Sequence, residues 1–177
     1  MLAGFVGSRL WPQVAAAFGV ASANAVAPQF ALTTLDGRTI TSAQLRGKVV
    51  LVNFWATWCP PCRVEMPGFQ SVYQRRQADG FVVLGISTDA SGSENVRAFL
   101  NEHHITYPVA MASAAVVRDF GGASLLPTSF LIDRDGRIRN VIRGAFTSFA
   151  LERAVDHLLA DAPEAADARR SEPATRR

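Results

Sequence analysis

The chain has 177 residues, of which 49% are hydrophobic and 19% charged, with a formal net charge of +3. That length fits one domain with appendages, and that apolar content is ample for a core, which excludes a wholly disordered chain. Lys48 is the only lysine, and the arginines that carry the remaining positive charge are scattered rather than striped, which excludes a nucleic-acid surface.

The first 27 residues differ from the rest. Arg9 is their only charge, residues 14–20 form a short apolar core, and Ala21-Ser22-Ala23, Ala23-Asn24-Ala25 and Ala25-Val26-Ala27 each offer a small-x-small cleavage site. The pattern predicts a signal peptide over 1–27 that sends the chain to the periplasm. Pro12 and Gln13 interrupt the apolar stretch, so an uncleaved N-terminal anchor over residues 10–27 and a cytoplasmic chain with a frayed start stand as alternatives. No cysteine precedes Cys59, which excludes a lipoprotein signal.

A folded domain is predicted over 28–160. Residues 30–33 and 39–40 flank Leu35-Asp36-Gly37-Arg38 and read as a hairpin with an Asp-Gly turn. Thr41 or Ser42 caps one helical turn to Leu45, which Gly47 stops. The run 49–54 is apolar without alternation, as a central strand buried on both faces requires.

Trp55-Ala56-Thr57-Trp58-Cys59-Pro60-Pro61-Cys62-Arg63 comes next and holds both cysteines of the chain. Strand, Cys-x-x-Cys, helix is the pattern of a thiol–disulfide redox site. A cysteine capping a helix faces unpaired backbone N–H groups and the positive end of the helix dipole, and both favour the attacking thiolate. With Cys59 as N-cap, Pro60 and Pro61 are the first two helical residues and neither carries an N–H. The first amide able to reach the Cys59 sulfur is then that of Cys62, and a Cys59 pKa of about 6–8 is expected. Cys62, one turn in, is the shielded resolving thiol.

A structural zinc wants four ligands, and the soft partners left to the cysteines, His103, His104 and His157, have no paired spacing to them, which argues against such a site. Arg63 stands where a c-type haem site has histidine. No metal and no cofactor is expected. With both cysteines in the motif no structural disulfide is possible, so the electrons pass to another protein.

The helix after Cys59 carries Val64, Phe69, Val72 and Tyr73 on its apolar face, and Pro67 inside it predicts a kink. Asp79-Gly80 closes it, and residues 81–87 are a second buried strand. Ser93 caps a helix to His103 with Val96, Phe99 and Leu100 inward. An extended piece over 106–110, a short helix over 114–120, a hairpin of 129–133 and 138–142 around Asp135-Gly136, and a last helix from Thr147 or Ser148 to about Ala160 complete the domain. Leu151, Val155, Leu158 and Leu159 face inward on that last helix. The segment 161–177 has no large apolar side chain and reads as a disordered tail.

Trp-Ala-Thr-Trp-Cys-Pro-Pro-Cys-Arg-x-Glu-Met-Pro, Leu-Pro-Thr-Ser-Phe-Leu-Ile-Asp and the Asp-Gly hairpin resemble the TlpA/ResA group of thioredoxin-like thiol–disulfide oxidoreductases over about residues 28–160. That resemblance implies an α/β thioredoxin fold, a central mixed sheet flanked by helices, with an N-terminal β-hairpin and an insertion over about 88–120. It implies an exported monomer that reduces disulfides of client proteins, in cytochrome c or oxidase maturation, and is itself reduced by a membrane electron donor of the DsbD/CcdA type. Cys59 resembles the nucleophile and Cys62 the resolving thiol. Pro127 resembles the cis-proline beside the dithiol, with the Leu126 backbone pairing to an extended client; a plain trans turn proline is the other reading. Trp58, Pro60 and Pro61 form the rest of the client-binding rim, although Trp58 also reads as a core aromatic.

Two positions divide. Asn53 replaces the buried aspartate of cytoplasmic thioredoxins and reads as structural. Glu65, three residues after Cys62 on the same helical face, matches an acidic residue this group uses for proton exchange, and such a carboxylate could take the Cys62 proton. A solvated first-turn glutamate favoured by the dipole carries nearly equal weight. His103 and His104 are assigned no role.

Two rivals remain on the same fold. A peroxiredoxin-like peroxidase resembles Pro-x-x-x-Thr-x-x-Cys, whereas the nearest proline upstream of Cys59 is Pro28. A copper-delivery module resembles Cys-x-x-x-Cys with a distal histidine, one residue longer than the spacing here.

Overall fold

The structure, a computed structural model, describes residues 24–122 and 124–161. The expected signal peptide or anchor, apart from its last four residues, and the tail beyond 161 lie outside the described residues.

β1 (Ala31–Thr33) and β2 (Thr39–Thr41) pair antiparallel around the expected turn, where Gly37 takes a φ of +86° that other residues resist. Thr34 Oγ1 fastens the turn by donating to the Asp36 carboxylate at 2.5 Å. The helical turn expected up to Leu45 is instead a run of tight turns, with Leu45 N–H donating to Ser42 O and Arg46 N–H to Ala43 O, both at 3.3 Å. So short a segment gains too few bonds to offset nucleation.

The remaining elements follow in order: β3 (Val49–Trp55), α1 (Pro60–Arg76), β4 (Phe81–Ser87), α2 (Ser93–Glu102), β5 (Val109–Met111), α3 (Ala114–Asp119), β6 (Thr128–Ile132), β7 (Ile138–Arg143) and α4 (Ser148–Ala160). The sheet order is β5-β4-β3-β6-β7, with β3, β4 and β5 parallel and β6 and β7 each antiparallel to the neighbour before it. This is the mixed sheet that the resemblance implied.

β3 is buried along its whole length, and alternation divides it between two cores. Val49, Leu51 and Trp55 pack with Met66, Phe69 and Val72 of α1 and with Leu151 and Val155 of α4. Val50, Val52 and Phe54 pack on the other face with Leu84, Ile86, Phe120 and Phe130. Truncating a ring such as Phe69, which is 0% exposed, would cost about 3–5 kcal/mol.

Two expectations need correction. Val64 is 80% exposed, because the buried stripe of α1 runs through Cys62, Glu65, Met66, Phe69, Gln70 and Val72 and passes it by. Ser93 is the first helical residue of α2, and Gly92, with a φ of +96°, is the N-cap without any side-chain bond. Leu159 faces inward as expected and is partly buried against the core. α1 runs through Pro67 as one element; proline there removes the donor to the Arg63 carbonyl without ending the helix.

Candidate redox site

The site lies at the carboxyl end of β3, where the chain leaves the sheet and re-enters as α1. The connection is held by Asp89, a buried residue just past β4. Its carboxylate accepts from Thr57 N–H at 3.0 Å, from Thr57 Oγ1 at 2.5 Å and from Ser87 Oγ at 2.8 Å. Thr88 N–H donates to Trp55 O at 2.9 Å, so the loop ahead of the cysteines is fastened to the chain leaving β4 through both Thr88 and Asp89. Sequence reasoning missed Asp89; Ser87-x-Asp89 at a strand end was its only signal.

Cys59 is the N-cap of α1, with Pro60 and Pro61 at the first two helical positions. Its Sγ accepts from Cys62 N–H at 3.3 Å, the bond expected from the sequence. The two cysteines are joined as a disulfide, Cα to Cα 5.3 Å. Cys59 keeps 3% exposure and Cys62 none, so Cys59 is the outer sulfur. Trp58 is 67% exposed, which excludes its reading as a core aromatic, and Pro60 and Pro61 are exposed beside it.

The Leu126–Pro127 bond is cis, which removes the reading of a trans turn proline. It lies immediately ahead of β6, whose Thr128 stands opposite Phe54 of β3. That register brings Pro127 to the same end of the sheet as the dithiol. Leu125 is 51% exposed and Leu126 half-buried, giving this end an apolar rim together with Trp58.

Glu65 is 5% exposed, so the solvated-glutamate reading fails. Its Oε1 accepts from Asn53 Nδ2 at 3.1 Å, and its Oε2 receives a long contact, 3.4 Å, from Phe146 N–H. Burial raises its pKa from the ordinary 4.5 to about 8, and those two donors oppose the rise only in part. Such a carboxyl can take or give a proton in the range where thiols titrate. Asn53 in turn donates to Ser129 Oγ at 2.9 Å. Tyr107, from the segment ahead of β5, is also buried; loss of solvent and the charge of Glu65 push its phenol pKa up.

Among the described residues no group of three or more His, Cys, Asp and Glu side chains could hold a metal ion. No helix among them is long and apolar enough to cross a membrane.

Comparison with known proteins agrees with this geometry. Residues 23–141 match the model of the AhpC/TSA family. The thiol-disulfide oxidoreductase ResA of Bacillus thuringiensis (strain Al Hakam) is 37% identical over 126 residues, covering 71% of this chain and 72% of that protein. Among solved structures, a thioredoxin-family thiol:disulfide interchange protein from Chlorobium tepidum TLS superposes with a TM-score of 0.73 at 38% identity, covering 77% of this chain and 97% of that one. A secreted thiol-disulfide isomerase from Corynebacterium glutamicum superposes with a TM-score of 0.71 at 26% identity, covering 76% and 86%.

Proposed function

Because the chain belongs to the AhpC/TSA family and to the ResA-like thiol–disulfide oxidoreductases, we propose that it is an exported protein-disulfide reductase working through Cys59-Pro60-Pro61-Cys62. The observation that carries this reading is the pair itself: one sulfur capping α1 and accepting an amide N–H, the other wholly buried one turn in.

In the reduced protein the Cys59 thiolate attacks one sulfur of a client disulfide. A Cys59–client disulfide forms and the client's other sulfur leaves as a thiolate. Cys62 then loses its proton to Glu65 and its thiolate attacks Cys59 Sγ. The Cys59–Cys62 bond forms, the mixed bond breaks, and the client leaves as a dithiol carrying two electrons. Trp58, Pro60, Pro61, Leu126 and Pro127 are the surface over which an extended client segment lies, its backbone against Leu126. The oxidised protein is reset by a second dithiol, which we assign to a membrane donor of the DsbD/CcdA type. Its clients we place among the cysteine-bearing proteins of cytochrome c or oxidase maturation, and the working unit is a monomer.

Export is supported by the composition of residues 1–27 and by the secreted neighbour. The last of those residues belong to the fold: Ile138 N–H donates to Ala25 O at 2.8 Å and Ala27 N–H to Gly136 O at 2.9 Å. Cleavage after Ala23 keeps both bonds.

The test separates the two thiols. Cys59→Ser abolishes reduction of a disulfide substrate, while Cys62→Ser allows one attack and accumulates mixed disulfides that identify the clients. Faster alkylation of Cys62 than of Cys59 in the reduced protein at neutral pH would overturn the assignment. Peroxide consumption by the protein alone would favour the peroxidase instead.

A further inference from the structure

Asn53 is completely buried in β3, and its amide nitrogen donates twice, to Glu65 Oε1 at 3.1 Å and to Ser129 Oγ at 2.9 Å. An amide nitrogen carries two hydrogens, so both are used. Asn53 Oδ1 has no hydrogen-bond partner among the described residues. Ser129 alone would not impose this orientation, since a hydroxyl both donates and accepts and could equally serve Oδ1. The amide is therefore turned to serve Glu65, at the expense of its own oxygen. Ser129 stands directly opposite Asn53 on the β3–β6 ladder, so the backbone pairing fixes the second bond.

We propose that Asn53, locked by Ser129, is a positioning residue that occupies Oε1 of Glu65 and so confines the exchangeable proton to Oε2. The C=O oxygen of a neutral acid accepts better than its O–H oxygen, and Asn53 at 3.1 Å is a closer donor to Oε1 than the Phe146 N–H, at 3.4 Å, is to Oε2, so the proton rests on Oε2. Oε1 accepts from Asn53 both as a carboxylate oxygen and as the C=O of the neutral acid, so the amide need not move when the proton comes and goes. An aspartate at position 53 could donate only while itself protonated. In the exchange the Cys62 S–H bond breaks, an O–H bond forms at Oε2, and no electrons pass between Glu65 and the sulfur. This inference rests on the reading of Glu65 as partner of Cys62.

The titratable groups facing Glu65 are Cys62, one turn back on α1, and Tyr107 ahead of β5. β3 and β6 contribute the neutral Asn53 and Ser129, and the chain ahead of α4 contributes the Phe146 N–H.

The full chain in its disulfide form, where neither cysteine titrates, gives a direct test by NMR. In the wild type the Glu65 carboxyl carbon and the Asn53 side-chain nitrogen should titrate with one shared midpoint, and Glu65→Gln should make Asn53 independent of pH. Asn53→Leu should raise the Glu65 midpoint by about one unit or more, because the ionised form loses a charge-assisted donor. Ser129→Ala should raise it by less, in the same direction. An Asn53 side-chain signal that ignores the Glu65 titration in the wild type overturns the proposal even if Asn53→Leu does not fold; so does an unmoved midpoint in Ser129→Ala or in a folded Asn53→Leu. None of these readouts involves Cys62. Their failure leaves the Glu65–Cys62 exchange standing, whereas an unaltered pH–rate profile in Glu65→Gln removes that exchange alone.

Discussion

Replacing Glu65 by glutamine should change how stability depends on pH. Burial lifts this carboxyl from 4.5 to about 8. Between those values the folded chain holds a proton that the unfolded chain releases, so stability falls as pH rises and levels off above about 8. The full span is about 3.5 units, or about 5 kcal/mol at 1.36 kcal/mol per unit. Glutamine carries no such proton, so the stability of Glu65→Gln relative to wild type should climb by about 1.4 kcal/mol per pH unit across that window. The assay is urea unfolding of both disulfide forms at several values between about pH 4.5 and 9; with an m value of roughly 2 kcal/mol per molar, the relative midpoint should move by about 2–3 M. Parallel curves for the two proteins would refute the reasoning, because they would mean that Glu65 titrates alike in the folded and unfolded chains.

Other outcomes follow from the same geometry. The Cys59 sulfur accepts from Cys62 N–H, and Pro60 and Pro61 offer no donors between them; with thiolate stabilisation so limited, equilibration with glutathione should give a potential on the order of −220 to −300 mV, and a value near −120 mV would make the protein an oxidant. A Cβ at Gly85 would lie 3.0 Å from Val109 Cγ2, 3.1 Å from Trp55 Nε1 and 3.3 Å from Tyr107 Cε2. Gly85→Ala should therefore destabilise by about 1–3 kcal/mol in equilibrium unfolding, and a neutral result would show that these rings yield freely. On the proposed export, mass spectrometry of the mature chain should find Asn24 as its first residue; a mature protein beginning at Pro28 would show that the bonds of Ala25 and Ala27 are dispensable.

The sequence made the fold legible wherever one local signal sufficed. Asp36-Gly37 and Asp135-Gly136 marked their hairpins, the unbroken run before Trp55 marked the central strand, and Cys59 ahead of two prolines marked the start of α1. Val64 was misplaced because the buried face of α1 is completed by residues that an apolar count passes over, Cys62, Glu65 and Gln70. The burial of Glu65 depends on Asn53 and Phe146, distant in sequence, and the hold on the cysteine loop depends on Asp89 in the next strand–helix unit. Neither leaves a periodic trace, so only the packed chain shows them.

The strand order has a consequence for biosynthesis. Asn53 and Ser129 are 76 residues apart yet are direct neighbours across β3 and β6. A nascent chain that has emerged only through β4 therefore exposes one edge of its most apolar strand, with two thiols at the strand's end and no Pro127 beside them. The thiols are made long before the strand that completes their site. A fragment ending ahead of Leu126 has every atom of the dithiol and lacks Leu126 and Pro127, against which a client would be held.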